Sequence, residues 1–481
     1  MDHILYWNQI ALDANQRDFS DEPGSDRPAY EQGGPTLSSR ALAIIHLAMY
    51  DAHAGVVNNV ATLPRYLSAP TNPPAGASAA AAVAAAAHAC LSALYPKQRV
   101  YFDTAHLKAE LSGPGLAEGH QFGLRVAQAM LEDRKDDPRD SDNGYAASMH
   151  PTAHRVDPAN FTQGYHAPFY GARSKCFAVT TRHGLQAPPA YGSEDYDKAL
   201  KQVRGKGIAP ELMGTLPSTY SKRTVDETLI GLYWAYDGAR KLGTPPRLYN
   251  QIVRNVALAK GNDVDQNARL FAFVNAAMGD AGILAWEQKY IHDFWRPVVG
   301  IREHDHSMGP AASNPKHNID NDCDPNWLPL GAPVSNGTGR NFTPPFPAYP
   351  SGHATFGAAA FHIVRLFYGV ATGNYKSDTV YKGPFVSGEL DGVTWDNMGT
   401  IRPRHLRAFP RGLWQMIEEN GFSRIFLGVH WSFDAFALDD QGKPDPNRNI
   451  GGVPLGLKIA EDIFESGMGK APAKSNVGPR P

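Results

Sequence analysis

Apolar residues at helical spacing, interrupted by proline and glycine, constrain the fold of this chain more than any other feature. The stretch after residue 353 is representative, because Phe356, Ala360, Ile363 and Phe367 are four, three and four positions apart and share one face of a helix. Runs of strand-forming residues are few. The pattern predicts an all-α fold with long irregular loops.

The predicted helices are separated by two long irregular segments. Residues 151–219 and 302–349 are rich in proline and show no sustained period, so both are predicted to lack regular structure. Residues 379–385 and 392–394 are predicted to form a small hairpin. Helices are predicted at 37–54, 77–94, 97–111, 116–131, 225–242, 246–259, 264–294, 354–367, 403–420, 432–437 and 456–467.

The length of 481 residues allows a large buried core. We predict a single large helical domain over residues 1–481. Its N-terminal bundle half, with the irregular crossover, is predicted at 1–220, and the C-terminal half with the functional site at 221–470. Residues 471–481 are rich in proline and are predicted to form a flexible tail.

Composition excludes several classes of function. The net charge of −2 shows no basic excess, so nucleic acid is not an expected partner. Cys90, Cys176 and Cys323 lack C-x-x-C spacing, so neither a disulfide framework nor a zinc site is expected, although one bridge stays open. Residues 75–95 are uncharged but mostly alanine, too weakly apolar to favour a membrane span. No signal peptide is visible, which makes a cytoplasmic location the default expectation and leaves export by another route open.

A proline-rich run leads into the motif Pro350-Ser351-Gly352-His353, directly before a predicted helix. Ser351 is a suitable N-cap, and unpaired first-turn N–H groups lie around Gly352 and His353. Free amides and the positive end of the helix dipole favour an oxyanion, beside which His353 could transfer a proton. A capped helix with an exposed histidine is the alternative interpretation.

Lys289 and Arg296 are seven residues apart, which is two helical turns. Asp293 lies between them on the same face, so an ordinary surface ion-pair ladder is one interpretation. Pro297 disfavours helix at the preceding residue, so the Arg296 guanidinium is predicted to leave from a helix end.

Arg424 and His430 are six residues apart and would face different sides of a straight helix. A break near Gly428 is therefore predicted. Asp434, four residues after His430, could accept a hydrogen bond from the far imidazole nitrogen and so determine its tautomer. A satisfied core histidine in an apolar segment is the alternative.

Taken together, the three stretches supply three cations, two neutral donors and two histidines. Guanidinium groups suit tetrahedral oxyanions, and the set is that of a phosphate- or vanadate-binding catalytic site. Glycine-rich P-loop and H-E-x-x-H motifs are absent from the sequence, so nucleotide and zinc-protease functions have little support. The residues concerned are Lys289, Arg296, Ser351, Gly352, His353, Arg424 and His430.

These motifs resemble a known signature when they are read in chain order. Lys289-x6-Arg296-Pro297, Pro350-Ser351-Gly352-His353 and Ser423-Arg424-x5-His430-x3-Asp434 are similar to the signature shared by vanadium-dependent haloperoxidases and type 2 phosphatidic acid phosphatases. Residues 342–349 and 424–434 further resemble fungal-type vanadium chloroperoxidases. The resemblance implies two four-helix bundles, with vanadate held in the C-terminal one.

The resemblance also implies the roles of the vanadate-site residues. His430 would bind vanadium(V) directly through a ring nitrogen. His353 would deprotonate hydrogen peroxide, and Lys289 would polarise the peroxide before a halide attacks it to give hypohalous acid for small organic acceptors. The other vanadate contacts would come from Lys289, Arg296, Ser351, Gly352, His353 and Arg424.

Further residues are implied around this site. Asp237 matches an acidic residue that pairs with the second arginine, Arg424. Trp286 and Phe346 match apolar residues beside the halide, with plain core aromatics as the alternative. The resemblance further implies that an aromatic rather than a histidine side chain at Phe346 leans toward chloride oxidation.

Two other functions use the same residues. A soluble acid phosphatase would attack phosphorus with His430 and protonate the leaving group with His353. A phosphate- or vanadate-binding protein without turnover would need only the cations and amides. The run His304-Asp305-His306 is either a solvated loop or a second metal site. The sequence leaves the preferred halide and the oligomeric state open.

Overall fold

The computed structural model describes residues 1–20, 30–139 and 141–480, so Pro481 of the predicted tail lies outside the described residues. The described residues form fifteen α-helices and one small antiparallel sheet of strands β1 (Ala437–Leu438) and β2 (Pro444–Asp445). The helices are α1 (His3–Asp18), α2 (Gly34–Val57), α3 (Ala79–Leu94), α4 (Arg99–Leu107), α5 (Leu116–Asp133), α6 (Tyr170–Arg173), α7 (Glu194–Lys206), α8 (Val225–Tyr233), α9 (Pro245–Lys260), α10 (Val264–His292), α11 (Pro297–Arg302), α12 (Gly352–Phe367), α13 (Leu413–Phe426), α14 (Ser432–Ala435) and α15 (Gly452–Ser466).

Helix α10 is the central element of the core. It packs against α2 from the N-terminal half and against α12 from the C-terminal half. Among the described residues it is the one helix with the length and hydropathy of a membrane span, and 94% of its most apolar window is buried inside the protein. One apolar cluster runs from Ile4 to Ala471 through both predicted halves. The mostly helical fold is confirmed, and the division near residue 220 stays a prediction.

Helices are present at all eleven predicted positions, but two boundaries are wrong by nine and ten residues. The helix predicted at 225–242 ends at Tyr233, because Tyr236 adopts a φ of 50° and turns the chain. The helix predicted at 403–420 begins at Leu413, where the Asp378 carboxylate accepts from the amides of Leu413 (3.2 Å) and Trp414 (3.0 Å). Because this capping residue comes from a distant segment, the residues next to the helix start contain no signal for it.

Two long helices were not predicted. In α1, the Asp2 side chain caps the helix by accepting from the Leu5 amide at 2.9 Å. Helix α7 lies inside the segment 151–219, which was predicted to be irregular. Ser193 caps α7, and acidic residues in its first turn and basic residues in its last turn complement the helix dipole. The buried residues Tyr196, Ala199, Leu200 and Val203 also have helical spacing, so the sequence contained these cues and the proline-rich surroundings concealed them.

The predicted hairpin is wrong. Residues 379–385 and 392–394 form no strand, and only isolated bridges join Phe385 to Arg407 and Trp395 to Ile401. The Phe385 carbonyl instead accepts from the Tyr233 hydroxyl of α8 at 3.1 Å, and Asp378, the residue before the first segment, caps α13. The sheet of the described residues lies after α14.

Residues 471–480, predicted to be flexible, form no helix or strand, and Ala471 and Pro472 are buried. Their backbone pairs with that of the segment before α7, through hydrogen bonds to Ala172, Cys176 and Phe177 of 2.8–2.9 Å. The neighbouring chain thus satisfies part of the polar backbone of this segment. The structure therefore gives this tail a bound position that its composition did not indicate.

A buried polar network joins α1, α2, α9 and α10. The Asn8 amide lies 2.8 Å from His46 Nε2 and 3.3 Å from the side-chain oxygen of Asn250, which in turn bonds Asn275. His46 Nδ1 lies 2.7 Å from the Leu42 carbonyl. Since a carbonyl accepts, Nδ1 carries the proton and Nε2 accepts from Asn8. Burial lowers the pKa of His46 from 6.5 to about 4, so the imidazole is neutral.

We expect this neutral histidine to make stability depend on pH. The unfolded chain binds a proton at residue 46 below pH 6.5, whereas the folded protein does so only near pH 4. Acid in that window therefore favours unfolding, by about 3 kcal/mol for the full shift. Urea unfolding midpoints should fall between about pH 7 and pH 4.5, and less steeply for His46→Gln. Equal pH slopes for the two proteins would contradict this expectation.

Candidate oxyanion-binding active site

Seven of the eleven residues predicted for the functional site line one cavity of about 370 Å³. The other four lie directly behind the cavity wall. Each of them is hydrogen-bonded to a segment that lines the cavity or is next to a lining residue in the sequence. The lining seven are Asp237, Trp286, Phe346, Gly352, His353, Arg424 and His430, and the four behind them are Lys289, Arg296, Ser351 and Asp434.

Lys289 and Arg296 do not form a surface ladder. Lys289 lies in the last turn of α10, which ends because Asp293 adopts a φ of 43°, and Arg296 is the N-cap residue of α11. Both cations are buried, with 0% and 1% of their surface exposed. The Asp293 carboxylate accepts instead from the Tyr145 hydroxyl at 3.0 Å. Arg296 thus leaves from a helix end, as Pro297 predicts.

The Lys289 ammonium is held by the proline-rich segment before α12. Its Nζ donates to the carbonyls of Pro347 (2.8 Å), Ala348 (3.2 Å) and Pro350 (2.5 Å). Proline has no N–H group, so this segment presents carbonyls with few competing donors. Burial and the neighbouring Arg296 lower the pKa of Lys289. A bound anion close to the ammonium would favour its charged form.

Helix α12 begins at Gly352, so the amides of Gly352 and His353 belong to its first turn. Ser351 caps this helix, with its hydroxyl 3.4 Å from the Ala354 amide. The Ser351 amide donates to the Asp434 carbonyl at 2.7 Å and so joins two of the predicted motifs. The start of α12 therefore lies at the cavity wall, where its dipole favours an anion.

His353 is buried rather than exposed. Its Nε2 lies 2.6 Å from the Ala235 carbonyl, which can only accept, so Nε2 carries the proton and Nδ1 has a free lone pair. Burial and the positive charge of Arg424 lower the pKa of His353 to about 3. Asp237 Oδ1 lies 3.9 Å from Nε2 and would stabilise the imidazolium. The geometry suits a group that accepts a proton at Nδ1.

The tautomer of His430 follows from its two partners. Nδ1 lies 2.7 Å from Asp434 Oδ2, and Nε2 lies 2.9 Å from Arg296 Nη1. Because a guanidinium cannot accept, the Nε2 lone pair faces the arginine and Nδ1 donates to the carboxylate. Burial, followed by Arg296 and Lys289, lowers the pKa of His430. A neutral imidazole with an anchored Nδ1 is the form that ligates metals or attacks phosphorus.

The predicted chain break near Gly428 is present and separates Arg424 from His430. Helix α13 ends at Phe426, and Gly428 has a φ of 75°. A Cβ added at Gly428 would lie 2.3 Å from the carbonyl oxygen of Gly207, and one at Gly207 would lie 2.4 Å from the Gly428 Cα. The two backbones therefore touch without an intervening side chain, and this contact sets the direction from which His430 enters the cavity.

Arg424 and Asp237 form a bidentate ion pair across the cavity, with contacts of 2.9 and 2.6 Å. Among the described residues, no acceptor lies within hydrogen-bonding reach of Arg424 Nε or Arg296 Nη2. Three buried cations face two carboxylates, so the formal charge of the cluster is positive. Two unused guanidinium donors beside free first-turn amides fit a tetrahedral oxyanion such as vanadate or phosphate.

Trp286 and Phe346 form the aromatic side of the cavity. Their ring centroids are 4.8 Å apart. Lys289 Nζ lies 5.0 Å and Arg296 Cζ lies 4.9 Å from the centroid of Phe346, so two cations flank one aromatic ring. These residues are cavity wall as well as core, and they border the positive charge of the site.

Sequence reasoning missed one part of the site. The N-terminal half supplies lining residues that belong to no motif and no apolar period. Only the packing of the end of α1, the start of α2 with the residues before it, and residue 166 against the C-terminal residues brings them to the cavity. They are Phe19, Tyr30, Gly33, Gly34, Pro35 and His166.

The described residues contain no group of three or more side chains that could hold a metal ion, so nothing in them supports a second metal site at His304-Asp305-His306. Asp305 is buried and accepts from Ser307, the Asp320 amide and Lys316, so it organises its own loop. That loop is folded rather than simply solvated. The three cysteines are free and buried, so the bridge left open by the sequence is not formed.

Comparison with known proteins assigns the chain to a family of relatives. Residues 1–176 match the vanadium chloroperoxidase N-terminal domain, and residues 269–444 match the VCPO second helical-bundle domain. The sequence is 35% identical to the vanadium chloroperoxidase of Curvularia inaequalis over 601 aligned positions, covering 100% of this chain and 92% of that protein. The second match contains all seven predicted vanadate contacts.

Two crystal structures share the fold. One is a bacterial vanadium-dependent iodoperoxidase, with a TM-score of 0.62, 18% identity and 95% coverage of both chains. The other is a holo-type bacterial vanadium-dependent chloroperoxidase, with a TM-score of 0.61, 15% identity and coverage of 95% of this chain and 97% of that one.

The fold and site define a mostly helical protein with a buried cationic oxyanion site served by two histidines. The chain belongs to the vanadium chloroperoxidase family, because it is 35% identical to a member over its whole length and matches two of the family's domains. The family resemblance inferred from the three motifs is thereby confirmed.

Replacing Asp434 by Asn should weaken oxyanion binding. The carboxylate accepts from His430 Nδ1 and from the Trp431 amide at 3.0 Å, and the amide replacement keeps the size but loses the charge that orients the ring. Changes to such supporting groups typically cost roughly 10–100-fold in affinity. Equilibrium dialysis against vanadate would measure the loss, with the exposed Asp440→Asn as a control. Native affinity in Asp434→Asn would show that the carboxylate does not support the ligand.

Proposed function

We propose that this protein is a vanadate-dependent haloperoxidase, which oxidises chloride or bromide with hydrogen peroxide to hypohalous acid. The observation that carries the proposal is that one cationic cavity contains two histidines whose unprotonated ring nitrogens differ. His430 presents an unprotonated Nε2 anchored through Asp434, and His353 presents an Nδ1 that can accept a proton. The 35% identity to a vanadium chloroperoxidase over the whole chain supports the same function.

The residues that would hold vanadate come from three helix ends and one loop. His430 Nε2 would ligate the metal in place of its present contact with Arg296 Nη1 at 2.9 Å, and Arg296 Nη2 and Arg424 Nε have donors to spare for the oxygens. The first-turn amides of α12 and the Ser351 hydroxyl add neutral donors. When bound, vanadate supplies a Lewis-acidic metal in its highest oxidation state that activates hydrogen peroxide toward a halide.

The remaining residues handle protons, charge and water. His353 would take a proton from hydrogen peroxide at Nδ1, while the Ala235 carbonyl keeps the Nε2 proton in place. Asp237 stabilises the resulting imidazolium and holds Arg424 in a bidentate contact. Lys289 would have to exchange one of its three carbonyl partners to reach a substrate oxygen. The Trp286 and Phe346 rings keep water away from the halide side.

Reconstitution is the direct test of this function. Apo-protein given orthovanadate should halogenate a diketone acceptor in the presence of hydrogen peroxide and chloride or bromide. Phosphate should compete with vanadate, because both are tetrahedral oxyanions that suit the same donors. The acid-phosphatase alternative predicts the reverse result, with brisk hydrolysis of p-nitrophenyl phosphate and no halogenation.

Alanine substitutions should distinguish the roles of the two histidines. His430→Ala removes the ligand nitrogen and should weaken vanadate binding, whereas His353→Ala should leave binding largely intact and abolish turnover. Vanadate binding by equilibrium dialysis and halogenation rate, measured on both variants, would show the split. Equal losses of binding in the two variants would mean that the assigned roles are wrong.

A further inference from the structure

Three consecutive residues shortly after α8 contribute two groups to the oxyanion site. The Ala235 carbonyl lies 2.6 Å from His353 Nε2, and the Asp237 carboxylate pairs with Arg424. Tyr236, between these two residues, adopts a φ of 50°, which a bulky side chain rarely takes. Such a conformation persists only where neighbouring groups hold it. The protonated nitrogen of His353 therefore depends on whatever holds this turn.

A short segment that lines no part of the cavity holds the turn. The Ser387 hydroxyl donates to the Tyr233 carbonyl at 2.7 Å, and the Gly388 amide donates to the Tyr236 hydroxyl at 2.9 Å. The Tyr236 amide donates to Glu389 Oε1 at 3.4 Å. A Cβ added at Gly388 would lie 2.5 Å from the Tyr236 hydroxyl oxygen, so the two segments are in direct contact.

The Glu389 carboxylate is itself fixed in position. Its Oε2 accepts from Arg402 Nη1 at 2.8 Å and from the Ser335 hydroxyl at 2.5 Å. The same guanidinium nitrogen also donates to the Ser335 oxygen at 2.8 Å. Glu389 and Ser335 are buried, and a buried polar network whose groups are paired is rigid. One carboxylate oxygen thus serves this network, and the other faces the Tyr236 amide.

We propose that Glu389 is a positioning residue for the proton-accepting histidine. Its carboxylate holds the turn at Tyr236, which keeps the Ala235 carbonyl against His353 Nε2 and leaves Nδ1 to accept the proton. The inference deepens the haloperoxidase function proposed above and rests on that function for its effect on turnover. Because Glu389 lines no part of the cavity, it acts through this turn rather than on a substrate.

Glu389→Gln is the direct test. Glutamine has the shape of glutamate but only one oxygen, so either the Tyr236 amide or the Arg402 guanidinium must face an N–H group. The turn should then lose its fixed position, and kcat should fall about tenfold. KM for halide and the affinity for vanadate should stay near native, because the aromatic wall and the cations are unaltered. Burial raises the pKa of Glu389 to about 7, so the measurements are made at pH 8, where the carboxylate is charged.

The tautomer of His353 is a readout that a general loss of stability would not move. In protein labelled with ¹⁵N-histidine, protonated and unprotonated ring nitrogens give separate NMR signals, and the signals of His353 are those missing from His353→Ala. Native protein should show the Nε2-protonated form alone, and Glu389→Gln a mixture of both tautomers. Tyr236→Phe removes the hydroxyl that accepts from Gly388 and should give a smaller fraction of the second tautomer.

Asp51→Asn is the matched control. Asp51 is a buried carboxylate that accepts from the amides of Tyr66 at 2.6 Å and Leu67 at 2.8 Å, and it lines no part of the cavity. Its replacement removes a buried charge that holds a turn elsewhere in the fold. Urea unfolding should therefore show a loss of stability, while kcat and the tautomer of His353 stay native.

A single Nε2-protonated tautomer in Glu389→Gln would refute the positioning role, and so would an equal loss of kcat in Asp51→Asn. If Glu389→Gln does not fold, a native tautomer together with native kcat in Tyr236→Phe would refute it instead. A native protein that oxidises no halide would refute the haloperoxidase function and the effect on turnover. The tautomer in Glu389→Gln would still decide whether the carboxylate holds the turn, so the two failures are distinguishable.

Discussion

The burial of three cations inside a helical core is the constraint on which the rest of this structure depends. Isolated buried charges cost several kcal/mol each, so every one of them must find partners. Lys289 takes carbonyls of the proline-rich segment, Arg424 takes the carboxylate of Asp237, and Arg296 takes the carbonyls of Phe346 and Val429. The long loops deliver these partners, so the irregular parts of the chain follow from the electrostatics of the site.

The site also depends on where helices stop. Lys289 and Arg424 occupy the last turns of α10 and α13, where the helix dipole favours positive charge, while Ser351 opens α12, where it favours negative charge. Helix ends leave backbone groups without partners, and these are the groups that an oxyanion can use. Grouping several helix ends around one cavity therefore produces an anion site within a fold whose core is otherwise apolar.

Much of this arrangement could be predicted, because the spacing of residues close together in the sequence indicates which side chains share a helix face or a helix end. The apolar stripe of α12 and the Ser351 cap share one short stretch, and Asp434 lies one helical turn after its histidine. Burial is not a local property, so the spacing of Lys289 and Arg296 was also consistent with a surface ladder. The Asp378 cap on α13 and the approach of His166 arise between segments distant in the chain. No pattern in either segment alone contains them, and only the packed structure shows them.

The contact between Gly207 and Gly428 has a consequence for how this protein can change over generations. Each glycine occupies the space that a side chain on the other would need, so a substitution at either position displaces the backbone that aims His430 into the cavity. Because an added Cβ at either glycine meets the backbone of the other, a substitution at one is not relieved by a substitution at the other. A crossover segment that lines no part of the cavity therefore carries the same steric restriction as the loop that leads to His430.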